Sequence, residues 1–456
     1  MRLRSNLFLS GACAAIPPPA CIGEWRKNMG QACYAEPTMH QVLHAQEATV
    51  AIPEPVVTTT KSRPLDNLSA VRNLAVDAYR GLVMLLMMGE VLQFSKVYAY
   101  FNHSLFWKIL AFNQTHTEWS GCSVHDMIQP SFSFLVGVAL PYSIRSRQRK
   151  GAAFPKMLAH TIWRSLLLIA LGIFLRSMNS SQTYFTFEDT LTQIGLGYTF
   201  LFLLAFRPTR DQWIAFGAIL FGYWLAWALY PLPGPNFNYA AVGVPADWHH
   251  LYTGFRAHWN KNSNLGQAFD LWFLNLFPRE HPFLFNEGGY LTLSFIPTLG
   301  TMILGLFAGQ WFVASAPKQP IRRFLTTGVI LLAIGVFLHF TGICPIVKRI
   351  WTPSWTLFSG GICFLVLSAF SWIIDVKQRR GWAFPLIVVG TNSIAAYLIA
   401  HMWEEFIKSN LLINLGPKPF LLFGPGLQPL LLGASILLMY WLFLFWMYRR
   451  KIFLRI

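Results

Sequence analysis

Residues 115–130, Thr-His-Thr-Glu-Trp-Ser-Gly-Cys-Ser-Val-His-Asp-Met-Ile-Gln-Pro, set a histidine in a polar, aromatic-flanked stretch just ahead of an apolar run that begins at Met127. A neutral imidazole in such a place can attack an activated acyl group and then pass it to an amine or hydroxyl, splitting one difficult step into two. His116 is the residue that this chemistry requires. It could equally serve as a general base that removes a proton from the acceptor. A third group usually orients such an imidazole, and Asp126 and Glu118 are both candidates. Asp126 also stands where a carboxylate would cap the helix that follows.

The elements that would hold this stretch are membrane spans. The chain has 456 residues, of which 54% are hydrophobic and only 12% charged, against roughly 25% charged in soluble domains; mean hydropathy is +0.42. Apolar stretches at 81–95, 127–144, 161–176, 191–206, 213–230, 291–314, 324–341, 355–374, 384–403 and 428–447 each approach the ~20 residues a spanning helix needs. The sequence therefore predicts an all-α, polytopic membrane helical bundle of about ten spans. Gly and Pro inside these runs, as at Pro297 and Gly300, are tolerated because neighbouring helices satisfy the freed backbone groups.

A net charge of +17 could suggest nucleic acid as a partner, but the cations do not form one stripe. Arg145, Arg147, Arg149 and Lys150 follow the second span, Arg207 and Arg210 the fourth, and Lys318, Arg322 and Arg323 the sixth. Lys377, Arg379 and Arg380 follow the eighth, and Arg449, Arg450 and Lys451 the tenth. By the positive-inside rule these loops are cytoplasmic, both termini lie inside and His116 faces outward. Lys108, Lys348 and Arg349 run against the pattern. Residues 1–70, with Pro17, Pro18, Pro19 and a run from Thr58 to Thr60, read as a disordered leader, either a cytoplasmic tail or a start placed too far upstream. The membrane domain is then 71–456, with an outer-loop insertion at about 231–290.

Six cysteines give no CxxC pairing for zinc or redox work. Cys13, Cys21 and Cys33 lie in the leader; Cys122 and Cys344, in outer loops, could bridge or could simply be buried fillers, as Cys363 would be inside a span. Asp77 and Arg80 flank the mouth of the first span, where the pair reads as an interfacial anchor. Glu90, read as lying within that span, needs a partner or a proton. The insertion carries Trp248, His249, His250, His258, Trp259, Asp270, Trp272, His281 and Glu287, a mixture that suits a carbohydrate or an aromatic membrane belt. Its three close histidines lack the companions zinc requires, and no metal is expected. Leu265–Phe277 reads as a short interfacial helix.

The spacing His116, Trp119, Gly121, Val124, Asp126 and Pro130, with the apolar stretch to Gly137, resembles the transmembrane domain of the heparan-alpha-glucosaminide N-acetyltransferase family. Further phrases are similar in the same order: Asp77-Ala-Tyr-Arg80-Gly81, Cys344-Pro-Ile-Val-Lys348-Arg-Ile-Trp351-Thr-Pro-Ser-Trp355, Gly390-Thr-Asn392-Ser393-Ile394-Ala-Ala-Tyr397 and Tyr448-Arg-Arg-Lys-Ile-Phe453. The similarity covers about residues 72–456. Gln193 matches a family glutamine, whereas Val91 and Ile194 stand where the family carries polar residues, and His401 is displaced by one residue from a family histidine.

The resemblance implies a multi-pass acyltransferase, of a bacterial inner membrane, that uses acetyl-CoA and an amino sugar or glycan acceptor. His116 would be its acetyl carrier and Asp126 its orienting acid. Asp77, Arg80, Glu90, Lys348, Asn392 and Ser393 would contact substrate or CoA. Lys348 could neutralise an acidic ligand or merely be solvated, Asn392 could orient substrate or glue helices together, and a homodimer is the candidate oligomeric state. Two competing readings are a sugar or oligosaccharide transporter and a silent membrane scaffold. No inverted repeat relates the first five spans to the last five, which favours the enzyme over the transporter.

Overall fold

The computed structural model describes residues 73–315 and 319–454. The leader at 1–70, Arg72, Lys318 and Cys13, Cys21 and Cys33 lie outside the described residues. Asn73 starts the first helix, α1 (Leu74–Met88), by accepting from Val76 N at 3.1 Å. A 3-10 turn, Gly89–Leu92, follows, and left-handed Gln93 at φ 50° bends the chain by 41° into α2 (Phe94–Tyr100). Next come α3 (Leu105–Gln114), α4 (Ile128–Arg149), α5 (Phe154–Ser177), α6 (Thr190–Ala205), α7 (Thr209–Leu229) and the short α8 (Leu265–Phe273). The long helices α9 (Phe295–Ser315), α10 (Ile321–Phe340) and α11 (Pro353–Phe370) precede a bent pair, α12 (Phe384–Thr391) and α13 (Ser393–Met402), angled by 71°. The last two helices are α14 (Glu404–Leu415) and α15 (Gln428–Arg449).

The all-helical expectation holds, and no named strand occurs among the described residues. Among the described residues seven helices are long and apolar enough to cross a membrane, or nine if each bent pair is one span, so the chain is a multi-pass membrane protein. The count is lower than the ten expected. All ten apolar stretches coincide with helices, but α6 has only 16 residues, about 24 Å against a hydrocarbon core of about 30 Å.

Small residues bring the central helices into backbone contact, which in a membrane takes over the role that burial from water plays elsewhere. A Cβ on Gly81 would sit 1.8 Å from Leu386 O, and one on Gly390 would sit 1.9 Å from Asp77 O, so α1 and α12 touch directly. Gly137 on α4 and Gly305 on α9 pack in the same way.

Above one end of this bundle the insertion builds a second core. Trp119, Tyr223, Trp227, Trp259, Leu291, Cys344, Val347 and Ile350 are all buried there. Its helix α8 matches the interfacial helix expected at Leu265–Phe277, with a 3-10 turn at its end. Trp259 and Asp270 are buried, with Asp270 accepting from Thr292 N at 2.9 Å, so both serve packing and do not face a sugar. Cys122 and Cys344 are free thiols, which corrects the bridge considered from their loop positions.

Candidate active site

The segment Ser123–Asp126 folds on itself before α4 begins. Asp126 N donates to Ser123 Oγ at 3.2 Å while Ser123 N donates to Asp126 Oδ2 at 3.1 Å, the reciprocal arrangement of a capping box. The carboxylate thus reaches back along the chain and does not cap α4. Oδ2 also accepts from Thr117 N at 3.1 Å and Thr117 Oγ1 at 3.0 Å. Asp126 is fully buried, and its neighbours are donors. That environment holds it as an anion whose free direction is set by Oδ1.

Oδ1 lies 2.8 Å from His116 Nδ1 and 3.3 Å from Lys348 Nζ, while Lys348 Nζ lies 3.0 Å from the same Nδ1. An anionic carboxylate can only accept. The short contact is therefore attractive when Nδ1–H donates to Asp126, and Lys348 pairs with the carboxylate instead of the ring. This tautomer leaves the lone pair on Nε2, which has no hydrogen bond among the described residues. Partial burial lowers the His116 pKa below its ordinary value; Lys348 and Arg349 act in the same direction, and the Asp126 hydrogen bond opposes them. At neutral pH the ring is neutral and able to attack.

Lys348 is not the solvated lysine that was one of its two readings. Its side chain is 4% exposed, and burial pushes its pKa down to about 8 against the attraction of Asp126. A short chain-to-chain contact brings it in from far away in sequence. Ser120 and Val347 form an antiparallel bridge, Gly121 N donates to Ile346 O at 3.2 Å, and Arg349 donates from Nε and Nη2 to Thr117 O and from Nη1 to Gly288 O. Trp119 Nε1 fastens the same loop to the insertion through Trp259 O at 3.0 Å. Cys122, although adjacent, is no rival nucleophile, since burial pushes its thiol up to about 12.

His116 and Lys348 open on a cavity of about 360 Å³, within the range of small-molecule sites. It lies where α1, α4, α5 and α6 end or begin, lined by Glu90, His125, Arg176, Glu188, Tyr290 and His401 among others. Burial raises the Glu188 and Tyr290 pKa values, with Arg176 and Arg349 respectively the main opposing charges. Glu90 lies in the 3-10 turn at the bend between α1 and α2, its side chain 54% exposed, with Oε1 3.4 Å from His125 Nε2.

The other expected site residues are elsewhere. Asp77 and Arg80 pair at 3.3 Å near the start of α1, roughly 15–20 Å along the helix from Glu90. Asn392 is 1% exposed in the break between α12 and α13, donates to Ile452 O at 2.8 Å and accepts from Leu454 N at 3.1 Å. It clasps the C-terminal segment, and neither it nor Ser393 lines the cavity. Glu118 meets His250 at 3.2 Å and not His116. Gln193 is buried and holds the carbonyls of Phe187 and Thr292. The insertion's tryptophans and histidines do not line the cavity, whereas Tyr290, at its end, does.

His125, Arg176, Glu188, Tyr290 and His401 were not singled out as site residues from sequence. The available signals were that His125 adjoins Asp126 and that His401 lies one residue from a family histidine; the others come from helix ends distant in the chain.

No family model matches the chain. Among curated proteins it is similar to the mouse protein named heparan-alpha-glucosaminide N-acetyltransferase, 25% identical over 379 residues that cover 74% of this chain and 54% of that protein. The human protein of the same name is 24% identical over 372 residues, 73% of this chain and 53% of its own length. The chain spans about half the length of these relatives.

Proposed function

We propose that this chain, a distant member of the heparan-alpha-glucosaminide N-acetyltransferase family, is a membrane-bound acetyltransferase that moves an acetyl group from acetyl-CoA through His116 to an amino sugar or glycan on the non-cytosolic side. The observation that carries this reading is the Lys348–Asp126–His116 triangle at the mouth of a small-molecule cavity. It fixes the tautomer and directs the remaining lone pair to Nε2, while burial keeps the ring neutral against the pull of Asp126.

In the first half-reaction Nε2 attacks the thioester carbonyl, the C–N bond forms, and the C–S bond breaks with its electron pair leaving on sulfur. Asp126 compensates the positive charge that develops on the ring, as a buried carboxylate does for an imidazolium. In the second half the acceptor's nitrogen or oxygen attacks the acyl carbon and the pair of the breaking C–N bond returns to Nε2. Arg80, near the start of α1 and paired with Asp77, would meet the donor's phosphates from the other side, a role that suits a guanidinium.

Detergent-purified protein incubated with radiolabelled acetyl-CoA tests the reading. Wild type should take up label and pass it to glucosamine, and His116→Ala should do neither. Absence of label from protein and product in both would remove the transferase, and equal transfer in both would remove His116. The broken α12–α13 span, whose second half lines the cavity through Tyr397 and His401, favours a transporter as the second reading. Uptake of labelled glucosamine by proteoliposomes without acetyl-CoA would support that instead.

A further inference from the structure

The cavity holds a second imidazole that the mechanism above does not use. His125 is 9% exposed, its ring centroid lies 4.4 Å from that of His116, and its Nε2 faces Glu90 Oε1 at 3.4 Å. His125 precedes α4 while Glu90 follows α1, so the ends of two separate helices converge to make the pair. The His125 ring has no other hydrogen bond among the described residues.

Once Nε2 of His116 carries the acyl group, that ring has no free nitrogen, because Nδ1 is committed to Asp126. The acceptor must nevertheless lose a proton as it attacks. Lys348 is already a cation paired to Asp126. Tyr290, whose ring is 6.3 Å from that of His116, is held as a protonated phenol by burial. His125 is the adjacent group with a nitrogen to receive the proton.

We propose that His125, backed by Glu90, is the general base of the second half-reaction, a role that rests on the acyl-histidine reading above. As the new bond to the acyl carbon forms and the bond to Nε2 breaks, the proton leaving the acceptor moves to the His125 ring. The Glu90 carboxylate matches the resulting positive charge, and the proton then passes to water through the exposed side of Glu90. The same pair explains why the first half-reaction does not need it, since a thioester attacked by a neutral imidazole releases no proton to the enzyme.

The test is a single-turnover discharge. Protein is labelled with radioactive acetyl-CoA, freed of donor, mixed with glucosamine, and followed for loss of label. His125→Ala should accumulate label like wild type and discharge it about 10²- to 10⁴-fold more slowly, with free imidazole restoring the rate. Glu90→Gln should slow discharge less, without affecting label uptake. His125→Gln, which keeps a polar side chain of similar reach, should behave like His125→Ala and guards against a folding defect. Discharge by His125→Ala within a few-fold of wild type, slow discharge that imidazole does not restore, or loss of label uptake would each overturn the proposal. Wild type that never takes label would instead remove the acyl-histidine beneath it, a separate and visible result.

Discussion

Asp126 accepts from Thr117 and Ser123 through Oδ2 and reserves Oδ1 for His116 and Lys348, so an amide in its place changes the ring's tautomer without emptying the site. Asp126→Asn should fold and lose about 10²- to 10⁴-fold in acetyl uptake; unchanged uptake by the folded variant would show that the carboxylate is only structural. A pH profile reports the same triangle. The ring attacks only when neutral, and its pKa is lowered from 6.5 by burial, Lys348 and Arg349 against the pull of Asp126, with His125 and Tyr290 facing it as well. Activity on acidification should therefore persist below pH 6.5 and fall only at lower pH. On the alkaline side, Lys348 loses its charge near pH 8, and with it Asp126 loses its counter-ion, so uptake should decline again. An acid limb centred above 6.5 would contradict the assigned geometry. His116 and Asp126 were legible in sequence because they are ten positions apart on one short loop. The burial of Lys348 was not, since it depends on a bridge that closes across more than two hundred residues.

Helix ends, more than helix faces, build this site. The turn after α1 presents Glu90, the turn before α4 presents His125, and Arg176 and Glu188 come from the α5–α6 connection. Hydropathy locates such helices well but does not show where they bend, which is why Glu90 read as part of one continuous span and the structure places it at the bend between α1 and α2. The Gly-Thr-Asn-Ser phrase shows a different ambiguity, because a motif can mark a contact as readily as a ligand. Gly390 allows α12 to touch α1, and Asn392 fastens the segment after α15. Asn392→Ala leaves Ile452 O and Leu454 N without that partner, at a cost of about 0.5–1.5 kcal/mol for each partly buried hydrogen bond. Thermal inactivation in detergent should shift to lower temperature, while acetyl uptake per folded molecule stays near wild type. A folded variant of wild-type thermal stability that cannot take up acetyl would return Asn392 to the substrate site.

At the scale of the whole molecule, the arginine-rich end of α4 and the cavity stand at opposite ends of that helix. Arg145, Arg147 and Arg149 end α4, whose first turns line the cavity through Ile128 and Phe132, and Arg449 ends α15. The apolar pattern made this layering readable in advance, because span length and loop charge are set by the bilayer itself. The aromatic insertion was less readable, because a tryptophan that covers a core and one that stacks on a sugar have the same chemistry. Its buried Trp259 now accounts for how the His116 loop is held, through Trp119. If the positive-inside rule sets orientation, the insertion and His116 face away from the cytosol. Single cysteines test this in a chain whose Cys13, Cys21 and Cys33 are serine; Cys344 and Cys363 are buried and Cys122 is partly so. Asn236→Cys lies exposed in the insertion, and Lys150→Cys lies exposed just beyond the arginine-rich end of α4. A membrane-impermeant maleimide added to sealed, right-side-out vesicles should label position 236 at once and position 150 only after permeabilisation. The reverse order would place His116 on the cytosolic side, and the acyl donor would then reach it without entering the bundle. The transmembrane route from Arg80 would have no purpose, although the local chemistry of His116, Asp126 and Lys348 would stand unchanged.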